Sequence, residues 1–93
     1  MSEVYLGHFR TFVIEQLRDI EAIEAENYST RWFLMRYLRR IIQLSNPPSR
    51  KGQVENAIRA LMRFYIDNLD ENSELGERCQ KVYDEYRKTL RFQ

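Results

Sequence analysis

The sequence contains very few residues that interrupt helices. Only three glycines and two prolines occur among 93 residues, and the prolines are adjacent, at Pro47 and Pro48. Glycine and proline are the residues that disfavour a helix interior most strongly. Their scarcity, together with the lack of any sustained period-two alternation of apolar residues, predicts an all-α chain.

The sequence also lacks the side chains from which most enzyme sites are built. His8 is the single histidine and Cys79 the single cysteine, and neither belongs to a recognisable motif. A zinc site of the usual type needs several such ligands, and the chain has neither paired Glu-x-x-His motifs nor a glycine-rich phosphate loop. We therefore expect no metal, no cofactor and no catalysis, with Cys79 an inert core residue.

Two further absences bear on where the chain works. A lone cysteine cannot form an internal disulfide, which is typical of proteins kept in a reducing compartment. No apolar run approaches the roughly 20 residues of a membrane-spanning helix. The first residues also lack the basic stretch and apolar block of a signal peptide. These features predict a cytoplasmic protein that does not enter a membrane.

The apolar residues that are present recur with the period of an α-helix. At about 100° per residue, apolar faces form in four segments, at residues 3–26, 30–44, 50–69 and 73–90. We expect one domain, residues 1–93, folded as a compact bundle of three to four amphipathic helices, because two separate cores would each be too small. The second segment has the widest apolar stripe, which predicts that it is the central helix.

One helix boundary is left open by the sequence. No glycine or proline separates Glu26 from Trp32, so residues 27–31 either break the first two helices or continue one long helix. We favour a break, because a helix of about 40 residues far exceeds the usual globular length. Asn27 or Ser29 can cap a new helix at this point.

The charged residues are strongly segregated, although the net charge is only +1. Residues 1–28 carry six acidic and two basic side chains, whereas residues 29–63 carry eight basic side chains and one acidic. Residues 64–77 carry five acidic side chains and no basic one. Such blocks either neutralise one another within the fold or mark a basic docking face.

A tryptophan among arginines is the most informative feature of the second segment. Trp32 projects away from the apolar stripe, and the polar residues that follow near it are Arg36, Arg39, Arg40 and Gln43. An aromatic plane beside guanidinium groups is enriched in protein hot spots and in stacking sites for single-stranded nucleic acid. These residues are therefore a candidate partner-binding site. The alternative is structural, with Trp32 covered by another part of the chain and the arginines stacked on it.

A second candidate site lies at the predicted start of the third helix. The run Ser49, Arg50, Lys51 and Gly52 combines two cations with the free N–H groups and positive dipole end of a helix. This corner is a candidate anion or phosphate site. The alternative is an ordinary helix start, with Ser49 as its cap and basic side chains in solvent.

Two short stretches resemble known families. The stretch Met35–Arg39, together with Glu24 and Glu26, is similar to the arginine-rich helices of GINS replication subunits. Residues 48–50 before Val54 resemble the start of a recognition helix in winged-helix DNA-binding proteins, but the preceding loop is too long and no β-wing follows. Each similarity covers a small part of the chain, so neither establishes membership.

Taken together, these features favour a non-catalytic protein-interaction module that acts as an adaptor, an assembly subunit or a small regulator. It would bind an acidic partner through the face that carries Trp32 and the arginines. The aromatic residues, six Tyr, five Phe and one Trp, exceed the need of so small a core, which predicts self-association as a homodimer. Nucleic-acid binding by the same face is the alternative, and its affinity would fall steeply with salt.

Overall fold

Four helices account for most of the chain, as the apolar periodicity predicts. The computed structural model describes residues 6–46 and 50–91. Its helices are α1 (Gly7–Glu21), α2 (Thr30–Leu44), α3 (Lys51–Asn68) and α4 (Glu74–Arg91). No strand occurs within the two described ranges, so the prediction of an all-α bundle is confirmed.

The first helix is shorter than its apolar pattern predicts. The expected range of residues 3–26 is wrong at its C-terminal end, because α1 ends at Glu21 and residues 22–29 form a connection to α2. Residues 3–5 lie outside the described ranges. The connection shows that α1 and α2 are separate helices and not one long helix.

Charge and a tertiary contact explain why α1 ends at this point. A longer helix would place Glu21, Glu24 and Glu26 in its last turns, where negative charge opposes the helix dipole. Arg31 from the start of α2 also donates its Nη1 to the carbonyl oxygen of Ile20, at 3.0 Å. The side chain thereby satisfies one of the carbonyl groups that a helix end leaves without an intrahelical partner.

Serine hydroxyls mark both ends of α2. Ser29 is the N-cap, and its Oγ accepts a hydrogen bond from the backbone N–H of Trp32 at 3.2 Å. At the other end, the Oγ of buried Ser45 donates to the carbonyl oxygen of Ile41 at 2.7 Å. The N-terminal cap fixes Trp32 in the first turn of the helix, which decides where its ring lies.

The helices form a ring in which each packs mainly against two neighbours. α1 and α3 both pack against α2 and α4. The prediction that the second helix is central is therefore wrong. Its wide apolar stripe is divided between α1 and α3, and one edge of the stripe, at Phe33, is 37% exposed.

Contacts between neighbouring helices show that they run antiparallel. Near the start of α1, Arg10 donates its Nε to the carbonyl oxygen of Ile42, near the end of α2, at 3.1 Å. The ring of Phe9, also early in α1, lies 5.5 Å from the ring of Tyr86, late in α4. The chain therefore runs up and down around the ring, and adjacent segments are joined by short connections.

The core is apolar and follows the predicted helix faces closely. Its fully buried side chains come from all four helices: Phe9, Val13, Ile20, Leu34, Leu38, Ile41, Val54, Leu61, Cys79 and Val82. Two residues of the predicted apolar faces are exposed: Phe33 on α2, and Ile23, which falls in the connection after α1 and is 54% exposed. No helix within the described ranges is long and apolar enough to cross a membrane.

A tight turn joins α3 to α4. Ser73 Oγ accepts from the backbone N–H of Gly76 at 3.0 Å and donates to the carbonyl oxygen of Asp70 at 2.6 Å. A Cβ added to Gly76 would overlap that same carbonyl oxygen. Glycine is therefore required here by close backbone approach. The turn is also held by Asp70, whose Oδ1 accepts from the backbone N–H of Asn72 at 3.0 Å.

Candidate interaction face

Trp32 lies in a cluster of aromatic rings at the start of α2 and is neither core nor fully exposed. Its ring is 4.7 Å from that of Tyr28 and 4.9 Å from that of Phe33, the second contact being edge-to-face. The guanidinium carbon of Arg36 lies 5.0 Å from the Trp32 ring centroid, within the range of a cation–π contact. Arg36, Tyr28 and Phe33 thus each cover part of the indole, which remains only partly buried.

Tyr28 holds its place in this cluster through an uncommon backbone conformation. Its φ is 65°, and it is the single non-glycine residue with positive φ in the described ranges. Its side chain is 73% exposed, so little burial offsets the cost of the left-handed conformation, which is about 1–2 kcal/mol for a residue with a Cβ. Strain of this kind concentrates at functional sites.

The predicted arginines of α2 come together in a shallow groove beside this cluster. The groove is lined by Phe33, Arg36, Tyr37, Arg39, Arg40 and Gln43. Four of the five predicted partner-binding residues therefore share one hollow, and the fifth, Trp32, contacts it through Phe33 and Arg36. The spacing of these residues, at three, four and seven positions along a helix, places them on one side.

The groove continues toward α3 through Tyr37. The Tyr37 ring lies 5.0 Å from that of Phe64, and the Phe33 ring lies 6.3 Å from it. Tyr37 and Phe64 also line an adjoining hollow with Arg59 and Arg63 of α3. We call the combined surface the basic aromatic face: Tyr28, Trp32, Phe33, Arg36, Tyr37, Arg39, Arg40, Gln43 and Phe64.

Internal ion pairs neutralise little of this surface. Arg39 pairs with Glu21 of α1 at 2.8 Å, with both side chains about half exposed. Within the described ranges, Arg36, Arg40 and Arg63 have no carboxylate within ion-pair distance. Most basic side chains of residues 29–63 that the structure describes thus have no acidic partner among the described residues.

The predicted anion corner is only partly described. Ser49 lies outside the described ranges, and the N-cap of α3 is Arg50, whose side chain makes no capping hydrogen bond. Gly52 is exposed, with open space where a side chain would lie. Lys51 is the first residue of α3. Anion binding at this corner stays a prediction.

Four aromatic members of the face were not among the predicted site residues. Phe33, Tyr37 and Phe64 fit the apolar period and were expected to face the core, which Phe64 does at 8% exposure, and Tyr28 lies outside any helix. The position of Tyr28, four residues before Trp32, is the one feature of the sequence that could have indicated its contact with the Trp32 ring. The approach of Phe64 depends on how α2 and α3 pack, which no local pattern encodes.

The described residues offer little for chemistry. They contain no group of three or more His, Cys, Asp or Glu side chains that could hold a metal ion. Burial raises the pKa of the Cys79 thiol to about 12. At neutral pH this thiol is protonated, and the thiolate is the nucleophilic form of cysteine.

Comparison of the chain with protein families, with curated proteins and with solved structures gave no match. Its function therefore has to be inferred from the geometry and charge of the basic aromatic face.

Proposed function

We propose that the chain is a non-catalytic protein-interaction module that binds an acidic segment of a partner through the basic aromatic face. The observation that carries this proposal is the pair Arg36 and Arg40. Both are exposed on a groove floored by aromatic rings, and neither has a carboxylate partner among the described residues. Arginine next to exposed aromatic rings is the composition of a protein hot spot.

The shape of the face favours an elongated, amphipathic partner. The rings of Phe33, Tyr37 and Phe64 follow one another between α2 and α3, so an apolar strip is flanked by guanidinium groups. A helix with apolar residues on one side and carboxylates at its edges matches both features, as in other helix-in-groove complexes. Complementary charge would set the register and raise the association rate.

Nucleic acid is the second candidate, and the Tyr28, Trp32 and Arg36 stack is the observation that favours it. Stacked rings beside arginine are also used to bind single strands. Two features weigh against it. Asp67 lines the hollow that adjoins the face, and a net charge of +1 provides little long-range attraction for a polyanion.

Calorimetric titration with designed probes tests the proposal. The probes are an amphipathic peptide with leucines on one side and glutamates at its edges, the same peptide with lysines in place of the glutamates, and a single-stranded oligonucleotide of mixed sequence. We expect the acidic peptide to bind and the basic one not to bind. The double variant Arg36→Glu with Arg40→Glu should weaken binding of the acidic peptide by at least about tenfold.

The matched control is Lys81→Glu with Lys88→Glu, which makes the same change in net charge on exposed positions of α4. Equal losses in the two double variants would mean non-specific attraction and would overturn the proposal. Stronger binding of the oligonucleotide, lost on adding salt, would favour nucleic acid. Trp32→Ala should weaken peptide binding while helical content and melting temperature stay nearly unchanged.

A further inference from the structure

A second apolar surface lies on the other side of α3, where α3 meets α4. This seam is the least extensively packed of the four between neighbouring helices. It leaves an open groove of about 770 Å³. The apolar residues in the groove are the buried Ile58, the partly buried Met62 and Tyr83, and the exposed Ile66. The charged residues at its rim are Arg59, Arg63 and Asp67.

The exposure of Ile66 is not explained by any contact within a single chain. Its side chain is 74% exposed, the highest value among the exposed large hydrophobic residues of the described ranges. It lines the groove one helical turn from Met62, so an exposed apolar side chain borders an unfilled apolar hollow. A continuous exposed apolar surface with a charged rim is typical of a protein-protein interface.

The charges at the rim indicate what covers this surface. Arg63 and Asp67 are one helical turn apart, yet they form no ion pair with each other or with any other residue of the described ranges. If a second α3 crosses antiparallel, with a two-fold axis near Tyr65, Arg63 of each copy lies opposite Asp67 of the other. The pair then forms twice, and the two Ile66 side chains meet close to the axis.

The position of Asp67 supports the same interpretation. It lies in the last turn of α3, where no basic residue occurs and where a negative charge opposes the helix dipole. Asp67 therefore destabilises α3 through the helix dipole, and no ion pair with another described residue offsets this cost. A complementary charge from outside the chain gives this residue a stabilising role.

We propose that the α3–α4 groove is the interface of a two-fold symmetric dimer of this chain. Ile66 packs against the second copy, and Arg63 and Asp67 form reciprocal ion pairs. This inference goes beyond the binding of an acidic partner, since it uses neither Trp32 nor the arginines of α2.

Light scattering after size exclusion, over a range of micromolar concentrations, tests the interface. We expect a mass of about twice the 11.4 kDa of one chain. Ile66→Glu should produce monomers, with the dimer dissociation constant raised roughly 100-fold or more, because each substitution counts twice across a two-fold axis. Ile23→Glu is the matched control, as it changes another exposed isoleucine, in the α1–α2 connection, and should leave the dimer intact.

A charge exchange provides the sharper test. Arg63→Asp and Asp67→Arg should each weaken the dimer at least about tenfold, because each places like charges opposite one another. The double variant restores opposite charges and should regain most of the affinity. Asp67→Arg should also raise the melting temperature of the monomer, since it replaces an acid with a base at the C-terminal end of α3.

Three results would overturn the dimer: a chain that is monomeric at every concentration, a dimer unaffected by Ile66→Glu, or a double charge exchange that fails to rescue the single variants. Circular dichroism of each variant separates loss of the dimer from loss of the fold. Titrating the Ile66→Glu variant with the acidic peptide separates this test from that of the proposed function. A monomeric variant that still binds the peptide would leave that function intact.

Discussion

Two seams of the bundle use the same residue types in opposite ways. Between α1 and α4, Arg78 is only 23% exposed, and its Nη1 donates to Gln16 at 2.9 Å and to Asp19 at 3.2 Å. On α2, beside its seam with α3, the arginines line an open groove, and Arg36 and Arg40 have no acidic partner in the described ranges. Both seams also contain packed aromatic pairs, at 5.5 Å and 5.0 Å.

The difference teaches that residue type alone does not separate a structural arginine from a recognition arginine. The Nη1 of Arg78 donates to polar groups of the facing helix, so this donor is used within the fold, although the buried Nε has no hydrogen-bond partner among the described residues. On α2, Arg36 instead lies over the Trp32 ring, which leaves most of its guanidinium donors free for another molecule. We therefore expect substitutions at the α1–α4 seam to change stability and those at the basic aromatic face to change binding.

The largest expected effect on stability comes from replacing an aromatic residue of each seam by alanine. Phe9→Ala should lower the free energy of unfolding by about 3–5 kcal/mol, because it opens a cavity in a core where Phe9 is 0% exposed. Phe33→Ala, at the open seam, should lower it by about 1 kcal/mol or less. Urea unfolding measures both. Equal losses would show that the two seams contribute alike to the fold.

A smaller effect uses pH to probe the interior of the bundle. Burial raises the pKa of Cys79 from 9.0 to about 12, so between these values the unfolded chain loses a proton that the folded chain keeps. Stability should therefore be fully present below pH 9 and fall by about 1.4 kcal/mol per pH unit above it.

Thermal unfolding at several alkaline pH values measures this slope. Cys79→Ala should make it shallower, although not flat, because burial also raises the pKa of Tyr86. An unchanged slope in the variant would mean that the thiol is not the group responsible.

The smallest expected effect compares single arginines. Arg78→Ala should lower the free energy of unfolding by about 1–2 kcal/mol, because it leaves Gln16 and Asp19 without their donor. Arg40→Ala should change it by no more than about 0.5 kcal/mol. If Arg40→Ala proved as costly as Arg78→Ala, the basic aromatic face would have a structural role that its contacts do not reveal. Both variants are measured in urea at one ionic strength.

Much of the fold could be predicted because helix signals are local. The apolar period identified α2, α3 and α4 to within one residue at each end, and Ser29 was among the expected caps of α2. The end of α1 was missed because Ile23 continues the apolar period beyond the last helical residue. What ends α1 is partly tertiary, since Arg31 reaches Ile20 only after α2 has packed.

The contacts of the candidate site could likewise be predicted only in part. Trp32 and Arg36 are four residues apart on one helix, so their contact could be predicted from sequence. The junction of Tyr37 with Phe64 could not, because it depends on the packing of two helices. Whether the segregated charges neutralise one another was also open. For α2 the answer is divided, since Arg39 pairs with Glu21 whereas Arg36 and Arg40 have no carboxylate partner in the described ranges.

The half-buried Trp32 has a practical consequence, since it is the only tryptophan in the chain. Its fluorescence emission reports on one location, the edge of the basic aromatic face, with no label attached. An occupant that removes water from the ring should shift the emission to shorter wavelength. Displacement of Arg36, 5.0 Å away, should change its intensity. The α3–α4 groove contains none of the residues that contact Trp32. Assembly through it should leave the spectrum unchanged, so a single optical measurement distinguishes the two surfaces.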